Sequence, residues 1–264
     1  MIRLCGVVGG ACLALACASC ERGAAQSSAA TPPQRVEQLR VEVLESYPHD
    51  RGAFTQGLVL DGGTLYESTG LVGQSSLREV EVKTGHVLRR VDVPAPYFAE
   101  GLSLVGPRLY QLTWQDGKVL VYEAKSFEAS KPFDYSGEGW GLCHDGREFV
   151  MSDGTDRLTF RGSDTFRPVR EAVVRLGATA VDHLNELECV GDDVYANVWM
   201  TDRIVRVEGK SGRVTATIDA SGLLTPQERI GVDVLNGIAY DAADGTFLIT
   251  GKLWPRLFRV RFVR

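Results

Sequence analysis

The sequence lacks the features of several common protein classes. Its 29 lysine and arginine residues are outnumbered by 34 aspartate and glutamate residues, which gives a formal net charge of −5. This balance argues against a general nucleic-acid binder, which needs a basic surface. The four histidines show no metal-ligand spacing, and no phosphate-binding loop or serine nucleophile elbow occurs. We therefore predict no nucleic-acid partner, no catalytic metal and no cofactor.

Methionine is also scarce, with 3 residues, whereas glycine is frequent, with 29. Apolar residues make up 44% of the chain, which is enough to build a core and excludes wholesale disorder. A glycine-rich chain with many valines and aromatic residues predicts short strands joined by tight turns. Helix is expected only as one short turn over residues 225–229.

The N-terminus has the pattern of an export signal. Arg3 precedes an uncharged run over residues 4–18, which is too short to span a membrane and is typical of a signal peptide. We assign residues 1–19 to this signal. Cys17 and Cys20 each follow small residues, as in a bacterial lipoprotein signal, and Cys20 is the preferred lipidation site. Neither has the usual leucine three positions earlier, so ordinary cleavage after a small residue is the alternative.

Residues 20–35 are rich in alanine, serine, glutamine and proline, and we predict a flexible tether. The folded body is then residues 36–264. We expect an exported monomer, located in the periplasm, anchored to the membrane by lipid, or secreted. Exported proteins form disulfides, and Cys143 and Cys189 are the only cysteines of this body. Whether they come close enough to bond is left open.

The body contains a repeated pattern: a polar or aromatic residue, a spacer that is usually glycine, an aliphatic residue, a turn and a short apolar pair. The five copies are Gln56-Gly57-Leu58, Glu100-Gly101-Leu102, Trp140-Gly141-Leu142, Asn185-Glu186-Leu187 and Asn236-Gly237-Ile238. Their aliphatic positions are 40 to 51 residues apart. A period of this length, with several strands in each copy, is typical of propeller blades.

We therefore predict an all-β, five-bladed β-propeller, with stacked solenoid repeats as the alternative. The last repeat ends soon after its third strand, so its outermost strand must come from elsewhere. Residues 36–46 alternate apolar and polar side chains. We predict that this strand pairs with the C-terminal blade and closes the ring.

Equivalent positions of a propeller lie in a ring around its axis, and two such rings are expected at one mouth. The first ring, at the start of each innermost strand, is Gln56, Glu100, Trp140, Asn185 and Asn236. The second ring, where the following strand ends, is Gly70, Trp114, Gly154, Trp199 and Lys252. The residues at these positions are not the same from repeat to repeat, and three of them are tryptophan. An aromatic cavity with a few polar groups is the usual form of a small-ligand site.

Glu100 is the only carboxylate of the two rings, and aromatic neighbours should raise its pKa toward the range useful for proton transfer. Lys252 is a candidate for stabilising negative charge or for pairing with Glu100. Other acids compete for the catalytic role: Glu67 most strongly, then Glu138, Glu186 and Glu188. A structural role is equally expected for Glu67.

Nine segments together resemble the plant and bacterial glutamine cyclotransferases, also called glutaminyl cyclases. The segments cover about residues 45–260 and are Phe54-Thr55-Gln56-Gly57-Leu58, Leu65 to Leu71, Phe98-Ala99-Glu100-Gly101, Leu112-Thr113-Trp114, Gly139-Trp140-Gly141-Leu142, Asn185-Glu186-Leu187-Glu188, Ala196-Asn197-Val198-Trp199, Leu235 to Ala239 and Thr250 to Trp254. One position departs from the family's pattern, because Val72 stands where an aromatic residue is expected.

The resemblance implies a five-bladed propeller that converts N-terminal glutamine of peptides or proteins to pyroglutamate and releases ammonia. It implies that Glu100 is the essential acid and base. It also implies a pocket shaped by Phe54, Gln56, Phe98, Trp114, Trp140, Asn185, Trp199 and Lys252. Two other classes stay open: a non-catalytic propeller that binds peptides, and a propeller lactonase or related hydrolase, which would need carboxylates from several blades around calcium.

Overall fold

Twenty-two β-strands and no α-helix make up the part of the chain that the computed structural model describes, residues 6–7, 9–10 and 35–264. The all-β prediction is therefore confirmed. Residues 225–229 form one turn, in which the Arg229 N–H donates to the Thr225 carbonyl. The predicted signal peptide and tether lie almost entirely outside the described residues. Within the described residues, no helix has the length and apolar character needed to cross a membrane.

The strands form five sets of four, which correspond to the five predicted repeats. The chain begins with β1 (Glu37–Pro48). The first set is β2 (Thr55–Asp61), β3 (Thr64–Thr69), β4 (Ser76–Val80) and β5 (Val87–Asp92). The second is β6 (Ala99–Val105), β7 (Arg108–Thr113), β8 (Lys118–Glu123) and β9 (Ala129–Asp134).

The third set is β10 (Leu142–His144), β11 (Glu148–Ser152), β12 (Arg157–Gly162) and β13 (Pro168–Val173). A small hairpin follows, β14 (Arg175–Leu176) and β15 (Thr179–Ala180). The fourth set is β16 (Leu184–Val190), β17 (Asp193–Val198), β18 (Arg203–Glu208) and β19 (Arg213–Asp219). The fifth is β20 (Leu235–Asp241), β21 (Thr246–Gly251) and β22 (Arg256–Val263), and the N-terminal strand β1 is its fourth, outermost strand.

The first strands of the sets contact one another in cyclic order, β2 to β6, β10, β16, β20 and back to β2. A sheet arrangement that closes in this way is a β-propeller, as predicted. Burial follows position in each set. The two innermost strands are largely buried because they are covered on both faces, whereas the fourth strands β5 and β9 are mostly exposed.

The core lies between the sets. Five clusters of buried apolar side chains each join two neighbouring sets, and the cluster between the fifth and first sets includes Leu58, Leu65 and Leu248. Each sheet therefore buries both faces, which explains why apolar residues are so evenly distributed along the sequence.

The glycine of the repeat is explained by the close approach of the innermost strands. A Cβ added to Gly57 would lie 2.5 Å from the Leu102 nitrogen, and one added to Gly101 would lie 2.5 Å from the Leu142 nitrogen. The fourth repeat has Glu186 at this position. Its carboxylate instead accepts hydrogen bonds from the Leu58 and Ile238 N–H groups, at 3.2 and 2.8 Å.

The N-terminal strand closes the ring as predicted. β1 pairs antiparallel with β22, from Arg40 opposite Val263 to Pro48 opposite Arg256. It also pairs in parallel with β19, through Glu37 to Arg40, which the sequence did not suggest. β1 therefore covers the outer edges of both the fourth and the fifth sets, and no long edge is left at the seam.

The two body cysteines, Cys143 and Cys189, form a disulfide, a bond that the sequence alone does not determine. Cys143 lies on β10 and Cys189 on β16, with Cα atoms 5.5 Å apart. These are the innermost strands of the third and fourth sets, so the bond joins two neighbouring sheets.

We expect this disulfide to stabilise the fold. It links positions 46 residues apart, and the loss of that constraint should lower the free energy of unfolding by about 4 kcal/mol. Denaturation of the Cys143→Ala/Cys189→Ala variant measures the loss, and chemically reduced protein is the control, because it should unfold at the same denaturant concentration as the variant. Equal stability of oxidised and reduced protein would contradict the expectation.

Candidate active site

The two predicted rings lie at the same end of the innermost strands. Gln56, Glu100 and Asn185 are near the starts of β2, β6 and β16, while Trp114, Trp199 and Lys252 directly follow β7, β17 and β21. Antiparallel pairing brings these ends together, as in the pairs Ala99 with Thr113 and Leu184 with Val198. The first strand of a set thus starts where its second strand ends.

One cavity of about 300 Å³ collects all nine site residues predicted from the sequence. It is lined by Phe54, Gln56, Phe98, Glu100, Trp114, Trp140, Asn185, Trp199 and Lys252. The structure therefore brings the predicted residues together, and their individual roles stay predictions. Val72, the residue that departs from the family's pattern, is 57% exposed and does not line this cavity.

Glu100 is buried at the base of this arrangement, with 5% of its surface exposed. Burial raises the pKa of its carboxyl group well above the ordinary value, and the positive charge of Lys252 opposes this shift. The Gln56 side-chain amide donates a hydrogen bond to Glu100 Oε1 at 3.1 Å. The carboxyl group is thus held in one orientation while its proton affinity is increased.

Lys252 is buried as well, and its desolvation lowers the pKa of its ammonium group, whereas Glu100 and Asp233 counteract this shift. Its Nζ lies 4.9 Å from the centre of the Phe54 ring, which is a cation–π contact. Among the described residues, Lys252 and Glu100 make no ion pair within 4.0 Å. Of the two roles considered for Lys252, pairing with Glu100 therefore takes the form of a longer-range charge interaction, while Nζ lies over the Phe54 ring.

The aromatic wall is built from edge-to-face contacts. Phe98 packs edge-on against Phe54 and Trp114, and Trp140 packs edge-on against Trp199. Such pairs favour fixed ring orientations.

Two glycines of the second ring make room for this wall. A Cβ on Gly154 would lie 2.7 Å from the Trp140 ring, and a Cβ on Gly70 would overlap Phe98.

Asn236 completes the first ring but does not line the cavity. Its amide Nδ2 donates to Gln56 Oε1 at 3.2 Å and to the Thr55 carbonyl at 3.0 Å. Asn236 therefore orients Gln56, which in turn holds Glu100. In contrast, the Asn185 side chain lines the cavity, and its Oδ1 makes no hydrogen bond with the described residues.

Glu67, the strongest rival acid, lies outside the cavity. Its Oε1 accepts hydrogen bonds from His49 Nε2 at 2.9 Å and Thr55 Oγ1 at 2.8 Å, and Arg78 is 3.9 Å from Oε2. Burial alone would raise the pKa of Glu67, but these cationic and hydroxyl partners lower it overall. The Glu67 carboxylate therefore has a structural role, because its hydrogen bonds and ion pair link the segments that carry His49, Thr55 and Arg78.

Three comparisons identify the family. A family model described as glutamine cyclotransferase matches residues 11–262. The chain belongs to this family.

The glutaminyl-peptide cyclotransferase of Arabidopsis thaliana is 41% identical over 227 residues, which cover 84% of this chain and 71% of that protein. A solved structure of a Myxococcus xanthus glutaminyl cyclase is 38% identical, with a TM-score of 0.79, and the match covers 87% of this chain and 99% of that one.

Glu138 is the residue of this glutamine cyclotransferase site whose role the sequence analysis missed. It accepts hydrogen bonds from Trp114 Nε1 at 2.8 Å, Trp140 Nε1 at 3.0 Å and Gln115 Nε2 at 2.9 Å. These donors lower the pKa of Glu138, with Gln115 contributing most. One carboxylate thus ties together two indole rings from neighbouring sets. Its place two residues before Trp140 was visible, but its contact with Trp114 was not.

No group of three or more histidine, cysteine, aspartate or glutamate side chains suited to a metal occurs among the described residues. Metal independence of this cyclotransferase stays a prediction, which chelation tests.

We expect two substitutions to shift the pKa of Glu100 in opposite directions. Lys252 lowers this pKa and Glu138 raises it, so Lys252→Gln should raise it and Glu138→Gln should lower it. Carbon-13 NMR titration of labelled glutamate carboxyl groups measures both shifts, and the Glu100 resonance is assigned by its loss in Glu100→Gln.

The matched control is Glu171→Gln, which removes a half-exposed carboxylate paired with Arg157 and should leave the Glu100 titration unchanged. Shifts of the same sign in both test variants would show that the two charges do not tune Glu100.

Proposed function

We propose that this protein cyclises N-terminal glutamine of peptides and proteins to pyroglutamate with release of ammonia, and that Glu100 transfers the proton. The observation that carries the proposal is Glu100 itself: a buried carboxyl group of raised pKa in a cavity walled by five aromatic residues and two amides. The names of the Arabidopsis and Myxococcus relatives support the same reaction.

The reaction needs only one substrate molecule. The α-amine nitrogen attacks the γ-amide carbon, a nitrogen–carbon bond forms, and the bond to the amide nitrogen breaks as ammonia leaves. The ionised Glu100 carboxylate accepts the proton that the amine loses and then gives it to the departing nitrogen. One group therefore acts as base and then as acid, and its raised pKa suits both steps.

The cavity supplies orientation and charge stabilisation. The rings of Trp114, Trp140 and Trp199 would hold the side chain folded back on its own amine, and a fixed geometry of this kind supplies several kcal/mol of the barrier. The Asn185 Oδ1, which has no hydrogen-bond partner among the described residues, would accept a hydrogen bond from a substrate N–H. Lys252 Nζ would stabilise the negative charge that develops on the amide oxygen.

In this proposal the five four-stranded sets are the five blades, and the reaction takes place at one mouth of their ring. We also propose that the protein acts as a monomer. We further propose that the protein is exported through residues 1–19 and is periplasmic, lipid-anchored at Cys20, or secreted.

Mass spectrometry of a glutamine-initiated peptide incubated with the protein tests this function. We expect the peptide to lose one molecule of ammonia, and an otherwise identical peptide that begins with asparagine serves as the control. Because no metal is invoked, the reaction should proceed equally in EDTA. An unchanged glutamine peptide would refute the proposal, and loss of activity in EDTA that zinc restores would refute its metal-free chemistry.

Substitution of Glu100 separates a catalytic from a structural role. Glu100→Gln keeps the shape of the side chain but cannot exchange a proton, so turnover should fall by about 100-fold or more. The fold should persist, because the raised pKa means that ionised Glu100 destabilises the folded state as the pH rises above the ordinary value for glutamate. Steady-state kinetics and thermal denaturation measure the two effects.

Glu67→Gln is the control for this substitution. It leaves the cavity lining intact but weakens the contacts with His49 and Arg78, so it should lower the melting temperature and spare the turnover of folded protein. The reverse result, with turnover lost in Glu67→Gln and retained in Glu100→Gln, would show that Glu67 and not Glu100 transfers the proton.

A further inference from the structure

A second cavity adjoins the reaction cavity. Its volume is about 660 Å³, and Phe54, Trp199 and Lys252 line both cavities. Its remaining wall includes the segments 200–202 and 232–234, with Arg229 and Trp254. The two cavities therefore share one side of the aromatic wall.

The sizes of the cavities suggest different occupants. About 300 Å³ is the lower limit of ordinary ligand pockets, a size that suits one glutaminyl residue. A third cavity of about 370 Å³, which includes Asp153 and Arg161, shares no lining residue with the reaction cavity. The second cavity, which shares three lining residues with the reaction cavity, offers a path for a peptide that leaves it.

The surface of the second cavity combines apolar and acidic groups. Met200 has 68% of its surface exposed, so its apolar side chain is accessible to a ligand in this cavity. Asp202 is neutralised by Arg229, whose Nη2 is 3.3 Å from its Oδ2. Asp233 is exposed, and among the described residues no cation lies within ion-pair distance of its carboxylate.

The backbone holds Asp233 beside the reaction cavity. The Asp233 N–H donates to the Lys252 carbonyl at 2.9 Å, and the Lys252 N–H donates to the Val234 carbonyl at 2.9 Å. Trp254 Nε1 also donates to the Asp233 carbonyl at 2.9 Å. The Val234 N–H donates to Asp233 Oδ1 at 2.6 Å. An acidic side chain without an ion-pair partner among the described residues is thus held one backbone pair away from Lys252, which lines the reaction cavity.

We propose that this second cavity binds the residues that directly follow the N-terminal glutamine of the substrate, and that Asp233 favours basic over acidic side chains there. The inference rests on the proposed cyclisation. It adds a binding site for the downstream peptide, with contact to Met200 and charge selection by Asp233.

Three substrates test the inference with the full-length protein: glutamine amide, Gln-Lys-Lys-Ala amide and Gln-Glu-Glu-Ala amide. Ammonia release gives kcat/KM for each. An exposed ion pair contributes a few tenths to 1 kcal/mol, so the lysine peptide should be preferred about two- to fivefold over the glutamate peptide. Asp233→Asn should remove most of this preference, and Asp233→Lys should reverse it.

Glutamine amide does not reach the second cavity, so kcat/KM for each peptide is divided by the value for glutamine amide in the same variant, which removes any effect of the Asp233 charge on Lys252. Met200→Ala should raise KM for both peptides and leave glutamine amide unchanged. Turnover of glutamine amide also shows that each variant is folded, which separates loss of the binding site from loss of the fold.

Asp164→Lys is the matched control, because it makes the same change of charge at an exposed aspartate that lines neither cavity. If it alters the peptide preference as much as Asp233→Lys, the preference reflects net charge and the inference is overturned. An unchanged preference in the Asp233 variants overturns it as well. If none of the three substrates releases ammonia, the proposed function fails, and the inference fails with it.

Discussion

The structure depends on the close approach of five innermost strands around one axis. Gly57 and Gly101 leave no space for a Cβ between their own strand and the backbone of the next, so a larger residue there would push the sets apart. Because the strands meet so closely, their first residues converge on a narrow mouth. Phe54 and Lys252 are far apart in the chain and still face the same cavity.

The same close approach decides how each buried carboxylate behaves. Glu67 has a histidine, a threonine and an arginine around it, and its pKa is lowered. Glu186 receives two backbone N–H groups from neighbouring strands, yet burial still raises its pKa. Glu100 has one amide donor, Gln56, and a lysine that it does not touch. All three are buried, so their partners decide whether the pKa is lowered, as in Glu67, or stays raised, as in Glu186 and Glu100. Of the two carboxyl groups with a raised pKa, Glu100 lines the reaction cavity, and this distinguishes it as the one suited to proton transfer.

Much of this could be predicted because a repeat converts sequence positions into spatial ones. The copies from Gln56 to Asn236 placed the strand ends in two rings, which gave seven of the nine lining residues, whereas Phe54 and Phe98 came from the family resemblance. Glu138 did not follow, because its bond to Trp114 depends on side-chain directions across two sets. The Cys143–Cys189 bond and the pairing of β1 with β19 were likewise undetermined, since a repeat specifies equivalent positions but not the distance between neighbouring edges.

The cavity arises where the repeats differ. At the second ring, Gly70 and Gly154 have no side chain, so the rings of Phe98 and Trp140 from the first-ring side fill their space. Trp114, Trp199 and Lys252 occupy the other three positions, and these large residues line the cavity. Five identical side chains would enclose a symmetric channel. Two glycines and three large residues instead enclose an asymmetric cavity. Because Trp199 and Lys252 also border the larger cavity, their side is the one through which a peptide can extend while its first residue stays beside Glu100.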